Sequence, residues 1–229
     1  MGNTLVIAEI HKGTLRKATL AAVTFAKKAA AHEGGAIFGL VIGSGVGAVA
    51  DDFRRYGFAK VFVADNAAYA HPLATTYAAV IAGVAKENGV TLVTGTATAF
   101  GKDLLPRVAA KLDAGMVSEI TDVVDATTFV RPLLAGNALA RVKVSSPLKV
   151  VSVRGTAFDT AKPTGTAADV VAITSPPADA LGTTFVRFDE TKSGRPELTE
   201  AQTIVAFGRG VKGPENIPII EKLCDTLGA

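Results

Sequence analysis

Two glycine-rich turns are the places where this chain could hold something negatively charged. Gly43, Gly45 and Ala48 form G-x-G-x-x-A directly after an apolar run, and Asp65 closes the next apolar run. That is dinucleotide-site spacing: the glycines let backbone amides approach a pyrophosphate, and the acid accepts from a ribose hydroxyl. The competing reading is a plain tight turn without a ligand, since the motif follows the second apolar run and not the first. The other turn is Gly208-Arg209-Gly210, between the apolar run Thr203 to Phe207 and a helical pattern from about Glu215 to Leu227. First-turn amides and the helix dipole favour an anion there, and Arg209 adds a planar cationic fork suited to phosphate. A surface arginine in a flexible turn is the alternative.

Other reactive residues do not assemble. His11, His32 and His71 show no metal-ligand spacing with one another or with Cys224. Cys224 stands beside Leu223 on an apolar helical stripe that also carries Leu227, the pattern of a buried structural thiol. Asp51-Asp52 and Arg54-Arg55 fall at i,i+3 and i,i+4 spacing, which predicts a solvated, ion-paired helix face. Ser44 has no G-x-S-x-G flanks. With no nucleophile, general base or metal cluster to place, the sequence points to a carrier or binding protein, not a catalyst, with no catalytic residue and no metal.

Positioning these turns falls to a β-α repeat. The stretch Thr91 to Val124 contains a strand at Thr91 to Thr94, a helix from Gly101 to Leu112 with Leu104, Leu105, Val108, Ala109 and Leu112 at helical spacing, and a second apolar run at Ile120 to Val124. Pro106 is expected early in that helix, where its missing N–H does least harm. Before it come strands at Thr4 to Ala8, Ala36 to Ile42 and Val61 to Ala64. They alternate with helices at Leu15 to Ala31, Val46 to Tyr56 and Pro72 to about Asn88, the last followed by a capping Gly89. Repeated β-α units predict a parallel, Rossmann-like sheet with helices on both faces.

After Thr128 the pattern changes to strands at Phe129 to Leu134, Leu139 to Val144 and Lys149 to Val153, joined by hairpin-like turns at Ala135-Gly136-Asn137 and Ser145-Ser146-Pro147. Further strands are expected at Val170 to Thr174 and Thr184 to Phe188. The first domain, residues 1–190, is therefore read as α/β with a mixed or antiparallel extension. Residues 191–200 are polar with Gly194 and Pro196 and read as a linker. Residues 201–229 would be the first β-α unit of a second α/β domain, too small to bury its own apolar faces.

Composition bounds the partners. The 229 residues carry net charge +3 with dispersed basic side chains, which gives no basic patch for nucleic acid. No apolar run is long enough to span a bilayer, so the chain is not expected to be membrane-embedded. A first strand at Thr4 leaves no room for a leader, and a single cysteine suits a reducing compartment, so a bacterial version would be cytoplasmic.

Five blocks carry a specific resemblance. TATAFGKDLLPRVAAKL (96–112), TFVRPLLAGNALARVK (128–143), SVRGTAFD (152–159), SGRPELTEA (193–201) and GRGVKGPEN (208–216) closely resemble the alpha subunit of electron transfer flavoprotein. They follow the family's order over nearly the whole chain. The resemblance implies an α/β first domain that packs with a beta subunit, and a second domain that holds FAD. It also implies electrons accepted from acyl-CoA and other flavin dehydrogenases, as in fatty acid β-oxidation, and passed to a membrane quinone oxidoreductase or another acceptor. Arg209, with Gly208 and Gly210, matches the family's Gly-Arg-Gly turn, which contacts FAD; Phe207 departs from the small residue usual there. Further flavin motifs of the family, an Ala-Ser-Arg turn, a Gly-Gln-Thr-Gly loop and an Ile-Gln-His run, do not occur in this sequence. Arg209 alone would supply about 1.5–3 kcal/mol as a charged hydrogen bond, against the roughly 8 kcal/mol that micromolar binding needs. This chain by itself is therefore not expected to hold FAD. The alternative function is a stand-alone nucleotide (NAD or AMP) binder using the Gly43 turn, or an assembly protein without redox activity.

Overall fold

A computed structural model describes residues 2–174, 183–189, 198 and 201–229. The chain forms two compact units, Met1–Phe185 and Val186–Ala229.

In the first unit the strands are β1 (Asn3–Ile7), β2 (Ile10–His11), β3 (Thr14–Leu15), β4 (Ile37–Gly43), β5 (Lys60–Asp65), β6 (Val90–Thr96), β7 (Gly115–Ile120), β8 (Asp122–Val123), β9 (Thr128–Leu133), β10 (Ala138–Lys143), β11 (Lys149–Val153) and β12 (Asp169–Ala172). The helices are α1 (Lys17–Glu33), α2 (Gly47–Phe53), α3 (Ala74–Glu87) and α4 (Ala99–Leu112). Seven strands build a parallel sheet in the order β12-β5-β4-β1-β6-β11-β7. Strand residues alternate between its faces. Val6, Val41, Val151 and Val153 join Phe25, Ala26 and Phe53 of α1 and α2 in one core, whereas Leu5, Ile7, Leu40, Ile42 and Val150 join Ile81, Leu104 and Leu105 of α3 and α4 in the other. Both faces are thus covered, as parallel strands require.

A buried ion pair ties the lower edge together. Lys149 Nζ at the start of β11 meets Glu33 Oε1 at the end of α1 at 2.5 Å, both side chains only 6–7% exposed. Thr91 Oγ1 of β6 donates to the other carboxylate oxygen at 2.9 Å. Gly101 allows α4 to start hard against β6, because a Cβ there would collide with the Thr96 carbonyl.

Several expectations need correction. Residues 145–147 are not a hairpin turn: β9 and β10 pair antiparallel beside β8, but β11 leaves them and inserts between β6 and β7 of the parallel sheet. Its five residues are all buried, so burial on both faces decides the placement over local turn chemistry. The parallel strand after α4 is β7, and the run Ile120 to Val124 instead passes from β7 into β8. Leu15 belongs to the β2/β3 ribbon, and α1 begins at Lys17. The fourth helix starts at Ala99, capped by Thr98 Oγ1 on the Gly101 N–H, so Pro106 sits in the helix interior. Described residues 183–189 form no strand; instead the Phe185 ring stacks on His71, centroids 3.6 Å apart.

In the second unit, short 3-10 turns at Arg209–Val211 and Pro214–Asn216 precede α5 (Ile217–Leu227). No strand forms over the expected 203–207, and the described residues of this unit include no strand for it to pair with. None of the α5 side chains is buried, and Cys224 is half-buried, not enclosed. Ile204, Phe207, Ile219, Leu223 and Leu227 are exposed. The predicted linker, 191–200, lies outside the described residues except for Leu198.

Candidate functional site

The Gly43 turn is folded as the sequence suggests, but its donors are already used. Asp65, at the end of β5, sends its carboxylate across to the loop after β4. Gly45 N–H donates to Oδ1 at 2.7 Å and Val46 N–H to Oδ2 at 3.0 Å. Asn66 N–H donates back to the Gly43 carbonyl at 2.9 Å, locking the two strand ends together. Gly45 has φ +68°, a conformation that a side chain disfavours. The acid predicted to meet a ribose therefore serves as the anion for the amides predicted to meet a pyrophosphate.

The sheet has a second default ligand position. Strand order reverses between β1 and β6, and in open α/β sheets ligands enter the crevice beyond such carboxyl ends. Here Glu9 fills it. Thr98 Oγ1 donates to Glu9 Oε2 at 2.6 Å, Arg16 Nε stands 3.6 Å from Oε1, and the Glu9 N–H donates to Thr19 Oγ1 at 3.0 Å. The space left beside Glu9, Thr96 and Phe100 is about 10 Å³, too small for any nucleotide. Nothing in the residue spacing flags Glu9, because its partners come from β3's end, α1 and the cap of α4.

In the second unit, the Gly208-Arg209-Gly210 turn is open. Gly208 and Gly210 have free space where a Cβ would stand, and Arg209 is exposed. Val211 and Lys212 amides close the 3-10 turn onto Gly208 and Arg209 carbonyls at 3.1 and 3.0 Å, so the amides ahead of them lie in the first turn, where no intrahelical acceptor exists. One guanidinium and these amides make a corner that can take a phosphate. The remaining predictions separate cleanly: Asp51 pairs with Arg54 and Asp52 with Arg55 as exposed i,i+3 contacts, and no group of three metal-ligating side chains comes together among the described residues.

This geometry defines a parallel α/β domain whose two customary nucleotide positions are stoppered by its own carboxylates, joined to a short segment bearing an open phosphate-type turn. Residues 4–179 match the electron transfer flavoprotein domain. The chain is 46% identical over 226 residues to an electron transfer flavoprotein subunit alpha of Pseudomonas aeruginosa, covering 98% of this chain and 71% of that protein. It is 40% identical over 237 residues to the mitochondrial alpha subunit of Dictyostelium discoideum, covering 98% of this chain and 66% of that protein. The alpha subunit of Paracoccus denitrificans is 38% identical over 226 residues, with coverages of 98% and 71%. The chain belongs to the electron transfer flavoprotein family, aligning with its alpha subunits.

A flavin fits the described residues only in part. Arg209 and the amides around it suit a pyrophosphate, while nothing else described beside them encloses a ring system.

Proposed function

We propose that this chain is the alpha-subunit part of a heterodimeric FAD-containing electron carrier. Residues 1–190 act as the base that packs with a beta subunit, 191–200 as the link, and 201–229 as the start of the flavin-holding domain. Gly208, Arg209 and Gly210 contribute the first phosphate contact. FAD, when bound, supplies the acceptance and release of electrons; the chain positions it and catalyses no bond change itself. Donors are acyl-CoA and other flavin dehydrogenases, as in fatty acid β-oxidation. The acceptor is a membrane quinone oxidoreductase or a similar protein, and the carrier works in the cytoplasm of a bacterial cell. Among the described residues no helix is long and apolar enough to cross a membrane.

The observation that carries this reading is 46% identity spread over 98% of the chain with a protein named as an alpha subunit. It is supported by Asp65 and Glu9, whose placement in both nucleotide positions speaks against a stand-alone NAD or AMP binder. The test is purification from the native source followed by intact mass, subunit composition and a visible spectrum. A second subunit and a flavin band are expected. Stoichiometric NAD or AMP binding by the chain alone, abolished in Gly45→Val, would overturn the reading in favour of a nucleotide binder.

A further inference from the structure

At the β7 edge of the parallel sheet a cleft of about 530 Å³ opens between α4, β7, β11 and β9. Three cations belong to it or border it: Lys102 from the first turn of α4, Arg131 from β9 and Arg154 just after β11. One carboxylate answers them. Glu119 Oε1 meets Lys102 Nζ at 2.5 Å and Oε2 accepts from Arg154 Nη2 at 3.0 Å. Hydrogen bonds from Lys102 first and Arg154 second hold the Glu119 carboxyl below the usual carboxylate range.

The backbone is bent to put it there. Glu119 has φ +55°, rare for a side-chain-bearing residue, and sits where the β7–β11 register slips between Val151 and Val153. Its N–H donates to Ser152 Oγ at 2.9 Å, fixing the bulge. Strain of this kind persists where the surroundings hold a side chain to a task.

Glu119 uses both oxygens on Lys102 and Arg154, which leaves Arg131 unanswered. Its Nε is buried and has no hydrogen-bond partner among the described residues. Among the described buried side-chain atoms in that condition, it alone belongs to a permanently charged group. The Arg131 side chain is half-buried and lines the cleft, so a guanidinium with a donor unmade borders space that an acceptor can enter.

We propose that this cleft is an oxyanion-binding site anchored by Arg131 and flanked by Lys102 and Arg154. The ligand presents a phosphate or carboxylate group, either on a free small molecule or on an acidic side chain of a partner polypeptide. Three cations against one internal carboxylate leave the cleft short of negative charge, and the planar fork of Arg131 suits a bidentate oxyanion. The site is built wholly from residues of the first unit and is independent of the function proposed above.

The test is amide NMR of the 229-residue chain titrated with inorganic phosphate at low ionic strength. Saturable shifts are expected at Lys102, Glu119 and Ser152. They should weaken by about tenfold or more in Arg131→Met, recover partly in Arg131→Lys, and persist in Lys86→Met on α3. If Arg131→Met does not fold, Lys102→Met serves, since that side chain is half exposed and its loss leaves Glu119 paired to Arg154. Shifts that never saturate, or that survive the Arg131 and Lys102 variants unchanged, overturn the proposal. Repeating the titration with a beta subunit bound separates the sources. Phosphate excluded from the complex, with assembly weakened by Arg131→Met, identifies a partner carboxylate; phosphate still bound identifies a free anion. Flavin content and complex formation are read separately, so this site and the carrier function can fail independently.

Discussion

The two glycine-rich turns use the same residue types and end in opposite states. At Gly43-Ser44-Gly45 the amides that could cradle a phosphate point at Asp65, 2.7–3.0 Å away. At Gly208-Arg209-Gly210 no carboxylate of the described chain takes that place, and the cation stands in solvent. The bodies that carry them differ in the same sense. The first turn grows from strands packed on both faces, whereas α5, which follows the second, buries none of its side chains. Glycine spacing therefore exposes backbone amides, and at the Gly43 turn it is the end of the neighbouring strand, through Asp65, that supplies their acceptor.

The contrast can be broken most severely at the base of the first body. Lys149→Met strands Glu33 as an unpaired buried carboxylate, and we expect a loss of about 3–5 kcal/mol in urea unfolding. The double variant Glu33→Leu/Lys149→Met should recover most of that, because its cost lies in the orphaned charge. Any substitution in α5 should leave the same transition unchanged within about 0.5 kcal/mol, since surface positions contribute little. A comparable loss from Leu223→Ala would mean that the second body is not as open as its exposure indicates.

Asp65→Ala removes the acceptor of two amides at an exposed site and should lower stability by about 1–2 kcal/mol. Arg209→Ala should change stability by less than about 0.5 kcal/mol while weakening FAD binding in the assembled protein by about ten- to a hundredfold, on the function proposed above. Equal destabilisation by both variants would erase the distinction between a closed and an open turn. A smaller comparison separates backbone from side chain. Gly45→Ala forces a Cβ into φ +68° and should cost about 1–2 kcal/mol. Gly208→Ala, at φ −130° with open space around it, should be neutral within a few tenths of a kcal/mol.

The β-α repeats were legible because their period is local. Strands with β-branched and leucine runs, and helices with Leu104, Leu105 and Val108 on one stripe, declare themselves within ten residues. What failed was pairing. Lys149 to Val153 reads as a third hairpin strand by its turn, yet complete burial sends it between β6 and β7, with Lys149 opposite Leu92 and Gly115, pairings that no local signal encodes. The candidate site divides likewise. The Gly43-to-Asp65 spacing correctly marked residues that meet, but not that they meet each other. Glu9 and Glu119 escaped notice, because each meets a partner far off in sequence: Thr98 is 89 positions from Glu9 and Arg154 is 35 from Glu119.

Asp125 offers the mildest version of the same device. Its Oδ1 accepts from the Thr127 N–H at 2.8 Å, the Thr127 hydroxyl at 3.0 Å and the Thr128 N–H at 2.9 Å, closing the turn between β8 and β9 much as Asp65 closes the Gly43 turn. The backbone hydrogen bond from Thr127 leads in pulling its pKa down from 3.8 to about 2. A depressed carboxyl stabilises the fold while ionised, so its contribution is complete above the unfolded value near 4 and fades as pH falls toward 2. Asp125→Asn keeps an acceptor at Oδ1 but cannot titrate. The melting temperature of the wild type minus that of this variant should therefore be flat above about pH 5 and decline between pH 4 and 2. A difference that stays constant through that window would show that the turn is held by its geometry alone, and that the carboxylate charge matters only where it faces amides at the start of a helix.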